Sequence, residues 1–365
     1  MEENEPHTES VFPEFLPWLD PETQSALNLA GSASGMSPTS LAMYARWWQL
    51  ETWLRELAYL ETRALGLQQW AGLVDPSNKR QRDDSALSHM LGPDSESTLA
   101  YFDYSRLLKL IQERWDLFEN TLISRASWEG RQSDLSPVRN RIAHARRPHR
   151  DDLGRIEQTL RDLERGAFIA VATYNDRWRP DDTDSKSAIV SGWIQGEHQT
   201  ARRLLDHAQR QYETTLQLRQ SFRPWGRAPD GATTASPKLW HADFLMGGRS
   251  VDVGKLWREI AERELARLAI HVAVDRYSVG FVFSDNDDPE QIADAIGEAF
   301  DAVLLSRSLS DDRPSWDAET KLAAEMDFRI KVDTAWNIID STTLPVSMFS
   351  AGGGVNLRPR WRSGG

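Results

Sequence analysis

Apolar residues change their spacing near the middle of this chain, and that change divides it in two. Up to about residue 175 they recur at three- and four-residue steps, the repeat of a helix with one buried side. Beyond about residue 186 they mostly alternate, the repeat of a strand with one buried face. The pattern predicts an N-terminal all-α helical bundle followed by an α+β domain. With 365 residues there is ample chain for both cores, and fifteen Trp suggest large helix-packing cores or aromatic-lined sites.

Four helices are predicted in the first part. Trp47, Leu50, Leu54, Leu57, Glu61 and Ala64 mark one that starts at Ser37-Pro38 and ends near Gly66. After a polar loop at 75–96, Tyr104, Leu108, Ile111, Trp115, Phe118 and Leu122 make the stripe of a second long helix. A shorter third helix takes Ser136 as its cap and Pro137 in its first turn, and stops before Pro148. Leu153, Ile156, Leu160 and Leu163 define a fourth, bounded by Asp151-Asp152 and Gly166. Such one-sided helices must bury their stripes against one another.

Residues 175–187 are polar and Pro-containing and read as a linker. A helix is expected over 198–213. Strands are expected at Leu216–Phe222, Trp240–Met246, Ile270–Val274 and Val279–Phe283, the last two joined by a turn at Asp275–Ser278. Asp288-Pro289-Glu290-Gln291 carries the cap and first-turn residues of another helix. A final helix near 317–340 and an apolar run at 344–349 complete the expectation.

The formal net charge of −12 argues against a chain coating nucleic acid by bulk charge. Seven of the negative charges fall in the first 38 residues, which hold no Lys or Arg, leaving −5 on the other 327. Residues 1–38 therefore read as an acidic flexible leader, 39–175 as the helical domain, 186–350 as the α+β domain and 351–365 as a basic tail. No stretch has the length and apolarity of a membrane helix, and the N-terminus lacks a signal-peptide pattern. The absence of Cys removes disulfides, thiol nucleophiles and Cys-held zinc. A cytoplasmic protein without membrane attachment is the expectation.

The chemistry concentrates at residues 139–150, RNRIAHARRPHR, with five Arg, two His and no acid. On a helix, Leu135, Val138 and Ile142 share an apolar face, Asn140 and His144 lie one turn apart on a polar face, and Arg139 sits between. An imidazole titrating near neutrality can take a proton from a ribose 2′-OH or give one to a leaving oxygen. A guanidinium forks onto phosphate oxygens as their charge grows, and Asn can orient either. Such parts cleave RNA without a metal or other cofactor. One His cannot serve both ends of the phosphate, so a two-fold dimer supplying a second is expected.

A helical bundle with Arg-Asn-x-x-x-His near the start of a late helix resembles the HEPN superfamily over residues 39–175. The resemblance implies a metal-independent endoribonuclease of a toxin, phage-defence or stress system. It implies Arg139 and His144 as the catalytic pair with Asn140 beside them, a homodimer with a composite site, and a 2′,3′-cyclic phosphate product. Arg146 stands where one subgroup carries a modifiable Tyr, so control by that modification is not expected. Arg141, Arg146, Arg147 and Arg150 are the expected RNA-phosphate contacts. The alternative is a non-catalytic RNA- or nucleotide-binding scaffold of such a system. Residues 186–350 would then regulate, or hold an antitoxin or sensor partner.

Other signals are weaker. Glu56 and Glu61 either orient His144 or pair with helix neighbours. Asp285–Asp288 fits no calcium loop. Gly352–Gly354 reads as a flexible exit, His198 and His207 lie on opposite helix sides, and His241 reads as surface. Arg358, Arg360, Trp361 and Arg362 make the tail basic.

Overall fold

Ser37 caps the first helix, its hydroxyl accepting the Ser40 N–H, and α1 (Pro38–Arg63) follows. In the computed structural model the described residues are 37–74, 79–87, 97–184, 187–198, 201–227, 233–247, 250–275, 277–308 and 327–332, with residues 25, 29 and 89 in isolation. Most of the expected leader, the run at 344–349, Gly352–Gly354 and the basic tail lie outside them.

Early in α1 the buried residues Met43, Trp47, Leu50 and Leu54 keep to one side, whereas every residue from Leu57 to Gly66 is buried. A helix buried all round runs through an interior, here between the bundle and a sheet. Two short helices follow, α2 (Leu67–Leu73) and α3 (Lys79–Ser85). The second lies inside the predicted polar loop. It buries no residue, so hydrophobic spacing could not reveal it.

The predicted long second helix is instead broken. α4 (Tyr104–Glu113), capped by Asp103, ends at Arg114 (φ −116°, ψ 42°), and α5 (Trp115–Phe118) restarts beyond it. Arg114 closes the break by donating to Asp116 at 3.1 and 2.9 Å.

The third helix, α6, spans Arg125–Ala143 and not Ser136 onward, with Pro137 inside it. Trp128, Gln132, Leu135 and Val138 are its buried stripe. Gln132 occupies one apolar slot and is matched by the Tyr104 hydroxyl at 2.5 Å, which hid the first half of the helix from a hydrophobic reading. The fourth helix, α7 (Asp152–Asn175), passes through Gly166 without stopping. A Cβ there would lie 1.9 Å from the Thr121 carbonyl oxygen, so Gly166 permits a close crossing and is not a terminator.

Past the bundle come a π-turn at Val190–Ile194 and α8 (Ala201–Tyr212). The strands are β1 (Thr214–Phe222), β2 (Lys238–Met246), β3 (Ser250–Val251), β4 (His271–Asp275), β5 (Ser278–Ser284), β6 (Arg307–Ser308) and β7 (Ile330–Val332). The main sheet has the order β1-β2-β5-β4-β7, antiparallel except for the parallel β4–β7 pair, and β3 pairs with β6 separately. A turn at residues 327–329 and strand β7 stand where a helix near 317–340 was expected; the rest of that span lies outside the described residues. Helices α9 (Val253–Ala261), α10 (Leu265–Leu268) and α11 (Pro289–Leu305) pack on one face, and Asp288 caps α11 through the Glu290 and Gln291 N–H groups.

The sheet is covered on both sides. Trp240, Ala242, Phe244, Val272, Val279 and Phe281 face α9–α11, while Leu239 and Val282 join the core of the bundle. Across that second contact the Tyr59 hydroxyl donates to the Ile270 carbonyl (2.8 Å), and Arg63 reaches Asp287 (3.0 Å). Arg223 forks onto Glu61 at 3.0 and 2.5 Å with both side chains fully buried, so Glu61 neither meets His144 nor pairs within its helix. The segment read as a linker is docked as well. Trp178 bridges to Gln220 and stacks on Phe222 at 4.4 Å, and Arg177 bonds both oxygens of Asp243 at 3.1 Å.

Candidate functional site

Helix α6 ends at the motif, and its ending sets the geometry. His144 is the last, half-helical residue (φ −109°, ψ 18°) and Ala145 turns into the left-handed region at φ 49°. The Ala145 N–H donates to Ile142 and the Arg146 N–H to Arg141, the paired bonds of a Schellman closure without its usual glycine. His144 thus lies at the C-terminal end of a 19-residue helix. The helix start expected at Ser136 is absent, because the helix begins at Arg125, so no helix N-terminus lies beside Arg139 to favour an anion.

Directly after this closure the chain must turn back into α7, and Asp152 holds the turn. Its carboxylate accepts from Arg141 Nε (2.6 Å), Arg141 Nη2 (2.5 Å) and the His149 N–H (2.8 Å), and the residue is 1 % exposed. Burial pushes this carboxyl up, but the Arg141 guanidinium and the His149 N–H outweigh it and hold it below the usual carboxylate range. Arg141, expected on phosphate, is therefore the clamp between α6 and α7.

The remaining motif residues spread over two flanks of α6. Asn140 and His144 are exposed, one turn apart. Arg139 is half-buried on the flank toward α4, where its charge helps to lower Asp103 after the larger effects of the Ser105 hydroxyl and the Arg106 N–H. Five residues of helix put Arg139 and His144 about 140° apart around the axis. Arg146 and Arg147 are exposed on the following turn. Among the described residues the side chains of Arg139, Asn140, His144, Arg146 and Arg147 make no hydrogen bond or ion pair. Arg150 is exposed beside Asp151 at 3.5 Å. The exposed Arg146, Arg147 and Arg150 with His144 make an outward edge suited to phosphates from outside the chain, and Arg139 lies on the other flank.

A second polar cluster, inside the molecule, was not foreseen. His241 is fully buried and not at the surface, because the bundle covers the sheet face that looked open. Its Nε2 meets the Ser221 hydroxyl at 2.7 Å, its Nδ1 has no partner, and Tyr174 packs edge-on against it. Tyr174 also reaches His271 Nδ1 at 3.3 Å. Burial, then Arg177, Arg223 and His271, hold His241 well below the usual imidazole range. The only sequence signal was the polar residue alternating with apolar ones on β2.

The acidic run at 285–288 is consumed structurally. Asp285 accepts from Trp240 Nε1 (2.7 Å), Asn286 donates to the Ala64 carbonyl (2.9 Å), Asp287 takes Arg63 and the Leu67 N–H, and Asp288 caps α11. Among the described residues no group of three His, Asp or Glu is placed to hold a metal ion, and no helix is long and apolar enough to cross a membrane. His198 is not on α8: it precedes the helix, stacks on Trp193 and meets Asp294 at 3.1 Å. No protein-family model, no curated protein and no solved structure matches this chain.

Proposed function

We propose that the chain is a metal-independent endoribonuclease of the HEPN type, acting in the cytoplasm as a toxin, phage-defence or stress effector. The observation that carries this reading is the exposed His144, whose side chain has no partner among the described residues, one turn from Asn140 and beside the exposed Arg146 and Arg147, with Arg139 half-buried on the other flank of the helix. In the reaction the ribose 2′-oxygen attacks the adjacent phosphorus and the P–O5′ bond breaks. The products are a 2′,3′-cyclic phosphate and a free 5′-hydroxyl. His144 takes the 2′-OH proton or protonates the departing oxygen, and Arg139 offsets the charge growing on the phosphate. The wide angle between Arg139 and His144 favours a composite site in which a second copy of the chain supplies the opposite proton transfer.

The same angle supports a second reading, an RNA- or nucleotide-binding scaffold that uses the cations without chemistry. Incubating the purified chain in EDTA with single-stranded and transfer RNA separates the two. Cyclic-phosphate ends from wild type, and a 10²-fold or greater loss in His144→Ala and Arg139→Ala, are expected for the nuclease, in line with the roughly 10²–10⁴-fold scale of general acid–base catalysis. Binding without cut ends selects the scaffold.

A further inference from the structure

Along the α7 side of α6, next to the basic turn, lies an open cleft of about 440 Å³. That volume is within the roughly 300–1,000 Å³ typical of small-molecule sites. Leu135 and Gly154 form its floor; Arg131, Arg150 and Arg155 carry guanidinium groups to it, and Asp134 and Asp151 carry carboxylates.

Gly154 is the telling residue. It sits in the first turns of α7 with no left-handed φ, and a Cβ built on it meets nothing within 4 Å. Neither backbone conformation nor close packing requires a glycine here, and glycine weakens a helix relative to alanine. What its missing side chain does is keep the floor of the cleft bare.

Arg131 is held by Asp162 at 2.7 Å, but the other charged groups around that floor are free to change partners. Arg155 pairs with Asp134 at 3.1 Å and Arg150 with Asp151 at 3.5 Å, but every one of these side chains is well exposed. Such pairs contribute little and give way to a competing ligand. Arg141 on the buried Asp152 is not available in this way.

A lining of both signs over an apolar floor suits a ligand that is anionic at one end and rich in donors at the other. We propose that the cleft seats one nucleotide of a single-stranded RNA that also reaches the His144 edge. Its phosphate lies on Arg150 and Arg155, its hydroxyl or amino donors meet Asp134 and Asp151, and its base covers Leu135 and Gly154. The choice of RNA as ligand rests on the nuclease reading of that edge; the site itself rests on the cleft.

The test measures binding of a labelled 12-nucleotide RNA across a salt series, using the full chain with His144→Ala to prevent cutting. Gly154→Leu fills the floor, and Gly72→Leu on α2, an equally open glycine, is the control. Gly154→Leu should weaken binding by about tenfold or more, the scale of losing one stacked base. Arg150→Ala should weaken it several-fold and flatten the logarithmic salt slope by about 0.7. Gly72→Leu should leave it unchanged. Equal binding by the two leucine variants, or no binding by the parent, overturns the proposal. If Gly154→Leu lowers the melting temperature, Arg150→Ala/Arg155→Ala decides, and parental affinity in that variant overturns it. The nuclease reading is judged separately, with His144 intact. Absent cleavage with Gly154-sensitive binding removes the nuclease and leaves the cleft, and the reverse pattern removes the cleft alone.

Discussion

Three hydrogen bonds converge on the carboxylate of Asp152, two from Arg141 and one from the His149 N–H, at a site closed to solvent. Asp152→Ala leaves those donors without an acceptor and should cost about 1–3 kcal/mol, measured by urea unfolding. Because the folded-state carboxyl lies below its unfolded value, this contribution is present above about pH 4 and is lost as pH falls further. Seven residues away, Ala145 holds a left-handed conformation that costs an L-residue about 1–2 kcal/mol. Ala145→Gly relieves that strain but loosens the unfolded chain, so a net gain of about 0.5–1 kcal/mol is expected. A lower melting temperature would show that the Ala145 methyl makes a contact worth more than the strain. Arg139, Asn140 and His144 were legible in the sequence because residue type and helical offset are local properties. The capture of Arg141 was not, since Asp152 reads as an ordinary helix-start acid.

Helix boundaries were legible where a stripe was purely apolar and hidden where a polar residue filled a buried slot. Ser37, Asp288 and the Asp275–Ser278 hairpin stand as expected, being caps and turns of local chemistry. Gln132 on α6 and Gly166 on α7 misdirected the reading because their reasons lie on other elements, the Tyr104 hydroxyl and the Thr121 carbonyl. Gly166→Ala forces α7 away from that carbonyl and should destabilise the bundle by about 3 kcal/mol or more, whereas Gly130→Ala, in open space on α6, should be neutral or stabilising. Thermal melts of the two variants test this directly. Equal melting temperatures would mean the crossing adjusts freely.

Across the whole molecule the bundle and the sheet share a wall of buried polar contacts. Glu61→Gln leaves Arg223 as a buried cation facing a neutral partner; the expected cost is about 3–5 kcal/mol, read as a lower urea midpoint with one cooperative transition. Separate transitions for the two parts would show that the wall does not couple them. His241 adds a pH dependence. Its folded-state pKa lies well below its unfolded value, so the unfolded chain binds the proton first. Stability is full above about pH 6.5 and declines as pH falls below it. His241→Asn should flatten that decline, and an unchanged profile would assign it to other groups.

From its own pattern the chain determined a helical first part, a sheet-bearing second part and Asn140 and His144 exposed one turn apart, because periodicity, caps and turns act between residues close in sequence. Tertiary structure alone decided that the second face of the sheet is covered, that Glu61 meets Arg223 across 162 positions, and that Gly154 floors a cleft. Each of these depends on surfaces brought together from distant segments, where burial and charge pairing are properties of the assembled fold.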